Sequence, residues 1–358
     1  MVLTDYQYPI LREQVSVSRL ETTDLNNLAF GSVFADHMFV ADFREGTWQT
    51  GKILPYGPLP LSPAMSALHY GQSLFEGMKA FRTLDGRVRI SRPLDHLARI
   101  NQGLERLVMP QLPENLWMAA LTELVRLDQA WTPAHDKGSL YLRPFVFATD
   151  AYIGVRPSLT YKFMVINMPV NPYYSGAIKA QVATDHIRAA EGGTGFVKMA
   201  GNYATAMYPG KLAKEAGYDV VVWLDAKERR YVEEFSTMNA FFVIDGVLVT
   251  PANDRLTFLN GLTRDSLLQA AEDLGIEVDV RPITIDEVVA ASKAGKLQEA
   301  FGSGTAAVLA PVKQIGYGET ELYLPDVSTW QVGPALKAHL EGIRSGLLPD
   351  THGWMYAV

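Results

Sequence analysis

The chain has 358 residues, of which 48% are hydrophobic and 20% are charged, so it can bury a large core and is long enough for two domains. The net charge of −7 and the sequence pI near 5.6 argue against a nucleic-acid partner, because they provide no basic stripe to neutralise a phosphate backbone. The chain has no cysteine, which excludes disulfides, thiolate metal ligands and a cysteine nucleophile, and we expect no metal site.

Membrane and export signals are also missing from the sequence. Residues 1–19 contain no central apolar run of the kind found in a signal peptide. No segment approaches the roughly 20 consecutive apolar residues that cross a bilayer. We therefore expect a cytoplasmic protein that does not enter a membrane.

The first half of the chain mixes strand and helix patterns. Alternating or continuous apolar runs predict strands at residues 38–42, 79–82, 88–90, 139–148 and 161–168. Spacing close to 3.6 residues predicts helices at residues 93–107 and 114–129. These patterns indicate an α/β domain over residues 1–168.

A break in the pattern follows at residues 169–176, where Pro169, Pro172 and Gly176 interrupt any regular period. We predict an interdomain linker there and a second domain over residues 177–358.

The second domain reads as strand-rich with packed helices. A helix is predicted at residues 203–216 with a left-handed stop at Gly217, before a strand at 220–224. The Asp245-Gly246 dipeptide between two apolar runs predicts a hairpin over residues 241–249. A further helix at 263–274 ends at Gly275 and leads into a strand at 276–280.

Two clusters carry groups suited to chemistry on a cofactor. Lys198 lies in the glycine-rich, otherwise uncharged segment 192–203, where partial desolvation would favour a neutral, nucleophilic amine. Glu234 lies in segment 232–239 near a strand end, where a buried carboxylate could pair with a protonated pyridine nitrogen. Taken alone, a surface lysine in a flexible loop and a solvated strand end remain the commoner interpretations.

Two other segments could bind an anion. In residues 259–264 a glycine loop opens a helix, whose first amides and dipole favour phosphate. Residues 301–307 (FGSGTAA) could present amides and hydroxyls to a phosphate or carboxylate. They match neither the G-x-S-x-G nucleophile elbow nor the nucleotide-binding P-loop. Glycine loops before helices are common, so a purely structural role is the commoner interpretation of residues 259–264 taken alone.

Tyr141 and Arg143 are two residues apart on a predicted strand, so their side chains share one face. An aromatic ring beside a guanidinium suits a site that accepts an apolar substrate and an acidic one in turn. A strand with one arginine that reaches the solvent is the alternative.

In this order the blocks resemble the branched-chain aminotransferases, pyridoxal-phosphate enzymes of fold type IV, over nearly the whole chain. The strongest blocks are residues 68–81 (LHYGQSLFEGMKAF), 139–144 (SLYLRP), 198–203 (KMAGNY), 234–239 (EFSTMN) and 301–306 (FGSGTA). The resemblance implies a mixed α/β fold with a smaller N-terminal domain and a larger C-terminal pseudo-barrel domain, with the cofactor between them.

The resemblance also implies roles for residues that would hold pyridoxal 5′-phosphate. Lys198 corresponds to the lysine that carries the cofactor and moves the α-proton, Tyr203 to the phenol at its 3′-oxygen, and Glu234 to the partner of its pyridine nitrogen. Its phosphate would be bound by Arg92, Thr305 and the amides of Leu262 and Thr263, and Arg188 matches a second arginine at the cofactor site.

On the substrate side, the resemblance implies a side-chain pocket formed by Phe30, Tyr70, Phe75, Tyr141 and Thr237. The turn at Thr305 and Ala306 would bind the α-carboxylate, and Arg143 the distal carboxylate of glutamate. The expected substrates are leucine, isoleucine and valine with their 2-oxo acids, and glutamate with 2-oxoglutarate. The sequence does not rank the first three, because one methylene is worth only about 1–3 kcal/mol in such a pocket.

The expected reaction is a reversible, ping-pong transamination in a homodimer, with residues 152–155 as the loop offered to the partner subunit. Two alternatives share the fold, namely a D-amino-acid aminotransferase and an aminodeoxychorismate lyase. A catalytically silent ligand-binding relative is the alternative from another class. Some relatives carry a redox-active cysteine pair after the Gly-Thr-Ala segment, and the run 306–310 here has none.

Overall fold

The fold is taken from a computed structural model, which describes residues 6–26, 28–171 and 176–358. Runs of consecutive strands are separated by one or two helices. Within these residues, no helix is both long enough and apolar enough to span a bilayer.

The elements before residue 171 include three α-helices and short 3₁₀-helices at Arg19–Thr22 and Gln129–Trp131 in the described part of the chain. In chain order they are β1 Ile10–Arg12, β2 His37–Arg44, β3 Thr47–Trp48, β4 Gly51–Pro55, α1 Ser66–Tyr70, β5 Ser73–Phe75, β6 Met78–Arg82, β7 Val88–Ser91, α2 Pro93–Arg106, α3 Glu114–Leu127, β8 Ser139–Ala148 and β9 Tyr161–Val170.

The elements after residue 176 continue the numbering, with a 3₁₀-helix at Val327–Thr329. They are β10 Ile178–Val182, α4 Ala200–Glu215, β11 Val220–Leu224, β12 Val232–Phe235, β13 Met238–Ile244, β14 Val247–Thr250, α5 Leu262–Asp273, β15 Val278–Val280, α6 Ile285–Lys293, β16 Leu297–Gly304, β17 Val308–Tyr317, β18 Thr320–Tyr323, α7 Val332–Ser345 and β19 Met355–Ala357.

The chain divides into two compact units. Unit 1 consists of Met1–Tyr173, Val197–Gly201 and Gly342–Val358, and unit 2 consists of Tyr174–Phe196 and Asn202–Glu341. Unit 1 therefore includes the segment around Lys198 and the C-terminal strand, both of which the sequence analysis assigned to the second domain. β19 belongs to unit 1 because its backbone pairs antiparallel with β7.

Unit 1 is built on a largely antiparallel sheet with the strand order β1-β4-β2-β9-β8-β6-β7-β19. The long central strands β8 and β9 pair along their whole length, from Ser139 opposite Val170 to Ala148 opposite Tyr161. Helix α3 covers the sheet with a fully buried apolar face, in which Trp117 stacks on Phe163 of β9 at a centroid distance of 5.9 Å. This packing fixes the position of β8, the strand that carries Tyr141 and Arg143.

Unit 2 contains a closed ring of strands. The order β12-β11-β10-β17-β16-β13 returns to its start, because β12 also pairs with β13. Alternate residues of these strands, such as Val220, Val222 and Leu224, fill one apolar core. The opposite residues of β11, Val221 and Trp223, pack with Ala213 of α4. This ring is the barrel that the sequence analysis expected.

Several predicted elements are confirmed. β8 and β11 have the predicted limits, and the hairpin from β13 to β14 turns at Asp245 and Gly246, whose φ angles are +53° and +86°. Two positive φ angles are typical of a type I′ turn, which matches the twist of the flanking strands. Gly217 also adopts a positive φ of +87° after α4, as expected for a helix stop.

Most other boundaries shift by one to three residues, as in α4, which begins at Ala200 and not at 203, and β15, which begins at Val278 and not at 276. Two further differences have a clear structural reason. α3 ends at Leu127, because Asp128 is buried and its carboxylate binds the His37 imidazole at 2.7 Å. β9 continues through Val170, into the predicted linker, with Pro169 opposite Leu140. Proline is tolerated there because the pairing of β9 with β2 ends at Ile166. The N–H that proline lacks would therefore have had no backbone partner in β2. The linker residues 172–175 lie outside the described residues.

Candidate active site

Lys198 is half-buried beside the end of β5 in unit 1. The Phe75 N–H donates to the Lys198 carbonyl at 3.1 Å, and Leu74 and Met199 form an isolated antiparallel bridge. The Lys198 Nζ lies 5.0 Å from the centroid of the Phe75 ring. The backbone at Lys198 and Met199 is thus attached to β5, and the amine of Lys198 is next to an aromatic face.

The same ring contacts a second cation. The Arg143 guanidinium carbon lies 4.6 Å from the Phe75 centroid and 5.4 Å from the Tyr141 centroid. Its Nη2 donates to the Tyr141 hydroxyl at 3.2 Å, and Phe30 meets Tyr141 edge-on at 5.1 Å. Four predicted substrate residues, Phe30, Phe75, Tyr141 and Arg143, therefore form one cluster within unit 1.

Gly77 is required by this cluster for reasons of space. A Cβ at position 77 would lie 1.8 Å from the Tyr141 hydroxyl. Any larger residue would displace the phenol and, with it, the partner of the Arg143 guanidinium.

Tyr70 is the last residue of α1 and is 43% exposed, with its ring 6.2 Å from that of His69. It is more open to solvent than the buried Tyr141. Its assignment to the substrate pocket therefore rests on the resemblance.

Arg92 is the N-cap of α2 and has a left-handed backbone, φ +53°. Its N–H donates to the Trp354 carbonyl at 2.6 Å, its guanidinium lies 5.3 Å from the Trp354 ring, and its Nε donates to Asp95 at 2.6 Å. A non-glycine residue in this conformation stores backbone strain, which the contacts with Trp354 and Asp95 offset.

A buried ionic group that the sequence analysis missed lies next to Phe75. The carboxylate of Glu76 is fully buried and accepts bonds from Arg99 Nε and Nη2, both at 2.8 Å, while His96 Nδ1 lies 2.7 Å away. Burial alone would raise the pKa of Glu76, but Arg99 and His96 outweigh burial and hold it well below its usual range. A sequence signal existed, because His96 and Arg99 are three residues apart on one face of α2.

In unit 2, Glu234 is 3% exposed on β12 and pairs with Arg188. The Arg188 Nε lies 3.0 Å from Glu234 Oε2, and its Nη2 donates to the carbonyls of Gly195 and Thr257 at 2.9 and 2.7 Å. An always-charged guanidinium beside a carboxylate favours the ionised form of that carboxylate.

Leu262 and Thr263 are the first two residues of α5. The N-cap of this helix is Gly261, which has no side chain to bond the first-turn amides. The first N–H groups of a helix point beyond its end and favour an anion there.

Thr237, Thr305 and Ala306 lie in two neighbouring turns at one end of the ring. A Cβ on Gly304 would lie 3.8 Å from the Thr237 carbonyl oxygen. The second turn ends at Val308, whose φ of +61° is unusual for a β-branched residue. Tyr203 lies in the first turn of α4 and is half-buried.

Glu233 is the extra residue of a β-bulge between β11 and β12. It is 3% exposed, its Oε2 has no hydrogen-bond partner, and burial raises its pKa to about 7. Its carboxyl is therefore largely protonated at mildly acidic pH and loses its proton near neutrality.

The raised pKa of Glu233 predicts a pH-dependent effect of Glu233→Gln. Protonated Glu233 makes its full contribution to the free energy of unfolding below its ordinary pKa of 4.5. This contribution is lost as the pH rises from there through about 7. The variant should thus match the wild type near pH 4 and exceed it by up to about 3 kcal/mol near pH 8.5, measured by urea unfolding of the apoprotein. An equal difference at both pH values would contradict this, and the exposed Glu228→Gln is the control.

With this geometry established, comparison with known proteins identifies the family. The model of the amino-transferase class IV family matches residues 73–315. Over 98% of this chain and 99% of its own length, the branched-chain-amino-acid transaminase 1 of Bacillus subtilis (strain 168) is 42% identical.

Solved structures have the same fold. The Escherichia coli branched-chain amino acid aminotransferase superposes with a TM-score of 0.74 at 25% identity, covering 90% of this chain and 98% of that one. The T.th. branched-chain amino acid aminotransferase complexed with N-(5′-phosphopyridoxyl)-L-glutamate gives 0.68 at 28% identity, covering 88% and 97%. The chain therefore belongs to the branched-chain aminotransferases, within the class IV aminotransferase family.

Proposed function

We propose that the protein transfers the amino group of L-leucine, L-isoleucine or L-valine to 2-oxoglutarate, with pyridoxal 5′-phosphate as cofactor. The observation that carries this proposal is the full-length, 42% identity to a branched-chain-amino-acid transaminase. The T.th. relative, solved with a phosphopyridoxyl-glutamate adduct, supports both the cofactor and glutamate as the second substrate.

The residues of unit 2 fit the two polar ends of this cofactor. The Glu234 carboxylate, paired with Arg188 at 3.0 Å, suits a protonated pyridine nitrogen. The first turn of α5, whose N-cap Gly261 provides no side-chain bond, suits a phosphate at the amides of Leu262 and Thr263. We assign the Thr305 hydroxyl to the same phosphate and the Tyr203 phenol to the 3′-oxygen.

Unit 1 would supply the lysine that moves protons and an arginine for the cofactor phosphate. We assign Lys198 as the lysine that carries the cofactor and moves a proton at the α-carbon of the substrate. Arg92, whose guanidinium lies on the Trp354 ring, is assigned to the phosphate. When bound, the cofactor supplies an aldehyde for the amino group and a conjugated ring that accepts the electron pair left by the α-proton.

We assign the substrate side chain to the aromatic residues of unit 1 and to Thr237. Phe30, Phe75 and Tyr141 offer an apolar surface to a branched side chain, and Tyr70 is assigned with them. The turn at Thr305 and Ala306 would bind the α-carboxylate. Arg143, held over Phe75 and bonded to the Tyr141 hydroxyl, would bind the distal carboxylate of glutamate.

This role of Arg143 predicts a selective defect in Arg143→Met. Loss of a charged hydrogen bond is worth roughly 1.5–3 kcal/mol, so kcat/KM for 2-oxoglutarate should fall about 10- to 100-fold. The value for L-leucine should change by no more than about threefold, because no distal carboxylate is present. Separate half-reaction kinetics measure the two values.

Tyr141→Phe is the matched control for that variant. It removes the bond between the hydroxyl and Arg143 Nη2 and keeps the guanidinium charge. An equal loss for leucine and 2-oxoglutarate in Arg143→Met would assign Arg143 to general packing of the cluster.

We also propose that the protein is a homodimer. An exposed apolar patch in unit 1 supports this proposal, with Leu68 67%, Tyr152 47%, Ile153 65% and Val155 90% exposed. The bridge between Met65 and Ala151 connects the start of α1, the helix that carries Leu68, to the segment that contains Tyr152, Ile153 and Val155. Light scattering should give a mass near twice the 39.6 kDa of one chain.

The function is tested by adding L-leucine to the cofactor-loaded protein and following the absorbance of the cofactor. The band should disappear with L-leucine, return with 2-oxoglutarate and remain unchanged with D-alanine. A response to D-alanine without one to L-leucine would identify a D-amino-acid aminotransferase instead. A protein that never acquires a cofactor band would be a silent relative.

A further inference from the structure

Asn239 connects two parts of unit 2 that the proposed function assigns to opposite ends of the cofactor. It is 4% exposed on β13 and lies directly opposite Glu234 of β12 in the ladder. Residues opposite each other in an antiparallel pair project to the same side of the sheet. Accordingly, the Asn239 Nδ2 lies 3.3 Å from Glu234 Oε1.

The same amide also binds the loop that leads into α5. Its Nδ2 donates to the Leu259 carbonyl at 2.8 Å. Its oxygen packs against Gly261, where a Cβ would lie only 2.0 Å from Asn239 Oδ1. Since Gly261 has an ordinary φ of −70°, its backbone does not require glycine, and the close approach of the Asn239 amide does.

A second side chain makes a parallel connection. Arg188 pairs with the other oxygen of Glu234 and donates to the Thr257 carbonyl of the same loop at 2.7 Å. Glu234 and the loop are therefore joined twice, by a charged residue through Oε2 and by a neutral amide through Oε1. Because Asn239 is neutral, it orients the carboxylate without changing the net charge of the site.

We propose that Asn239 is a positioning residue that couples the pyridine end of the cofactor site, at Glu234, to the phosphate end, at the start of α5. The inference rests on the proposed function. Occupation of the α5 end by an anion would hold the loop at Leu259 and Gly261, and through Asn239 the Glu234 carboxylate. By linkage, binding at the pyridine end must strengthen anion binding by the same factor.

The experiment uses two separate probes on the apoprotein. Pyridoxal lacks the phosphate, and inorganic phosphate lacks the ring, so each occupies one end. The Kd of pyridoxal is measured by fluorescence titration with and without saturating inorganic phosphate. In the wild type, phosphate should tighten pyridoxal binding about tenfold, since a hydrogen bond to a charged group is worth at least a factor of this order.

In Asn239→Ala this coupling should fall to about twofold or less, while each probe still binds alone. Asn239→Leu keeps a similar volume and removes the donor without adding a charge, so it should lose the coupling as well and provides the same measurement if the alanine variant does not fold. Asn253→Ala is the matched control, because Asn253 bonds the Phe258 carbonyl and Asn260 within the loop. It should weaken phosphate binding and retain the coupling.

Unchanged coupling in both Asn239 variants, or the absence of coupling in the wild type, would overturn the inference and leave the proposed function intact. A wild-type apoprotein that binds neither pyridoxal nor pyridoxal phosphate would instead overturn the proposed function. The two failures are therefore distinguishable.

Discussion

Replacing Lys198 by alanine is expected to lower kcat for the transamination of L-leucine by at least about 10³-fold. The variant loses both the attachment of the cofactor and the group that we assign to proton movement, and a positioned acid–base group alone contributes roughly 10²–10⁴. Steady-state kinetics of the cofactor-saturated variant measures the effect. Cofactor affinity should survive in part, because the residues assigned to the phosphate and the ring nitrogen remain.

Small primary amines provide a sharper test of this assignment. If Lys198 acts as a base beside the Phe75 ring, a free amine should restore part of the lost rate to Lys198→Ala, in proportion to its concentration. Lys211→Ala on the exposed surface of α4 is the control and should keep full activity. Undiminished leucine turnover in Lys198→Ala would show that another residue performs the chemistry.

Replacing Glu76 by alanine is expected to destabilise unit 1 by about 3–5 kcal/mol. The substitution leaves the guanidinium of Arg99 and the imidazole of His96 buried without their shared carboxylate, and removing one partner of a buried ion pair costs about this amount. Urea unfolding of the apoprotein at neutral pH measures the loss. Glu215→Ala, which breaks the exposed pair with Lys211, should cost at most about 1 kcal/mol.

Glu76 and His96 also predict how the free energy of unfolding depends on pH. Burial lowers the pKa of His96 below its ordinary 6.5, although Glu76 partly opposes this, and the pKa of Glu76 is held below its ordinary 4.5. Both groups thus take up protons more readily in the unfolded chain, so stability falls as the pH falls below 6.5 and falls further below 4.5. In Glu76→Gln the lower step should become smaller, and part of it should remain because hydrogen bonds also hold the pKa values of Asp36 and Asp225 below their ordinary range. An unchanged lower step would assign the acid sensitivity to those other carboxylates.

Glu76 is directly connected to residues that we assign to the substrate pocket. Glu76 lies between Phe75, whose ring contacts Lys198 and Arg143, and Gly77, which makes room for the Tyr141 hydroxyl. Its N–H also donates to the Pro144 carbonyl of β8 at 2.7 Å. Loss of the Glu76 ion pairs is therefore expected to disturb the cluster of Phe30, Phe75, Tyr141 and Arg143 before it disturbs the barrel of unit 2.

Local chemistry made parts of this molecule predictable from sequence. The limits of β8 and β11 follow from unbroken apolar or alternating runs, and the Asp245-Gly246 turn follows from two residues that tolerate positive φ. The candidate residues Lys198 and Glu234 were found because their neighbours in sequence form recognisable blocks. These features depend on interactions within a few residues.

Partners that are distant in sequence were decided by the tertiary structure alone. No local pattern shows that β12 pairs with β13 to close a ring that β10 and β17 complete, or that the C-terminal β19 returns to β7. The side chains that surround Glu76 and Asn239 were equally hidden, since a buried charge or amide is defined by its partners and not by its neighbours in sequence. The sequence alone therefore determined the family, the candidate residues and most local elements. The folded chain decided which buried polar groups share a hydrogen bond, because burial makes an unpaired group costly only once the surrounding elements have packed.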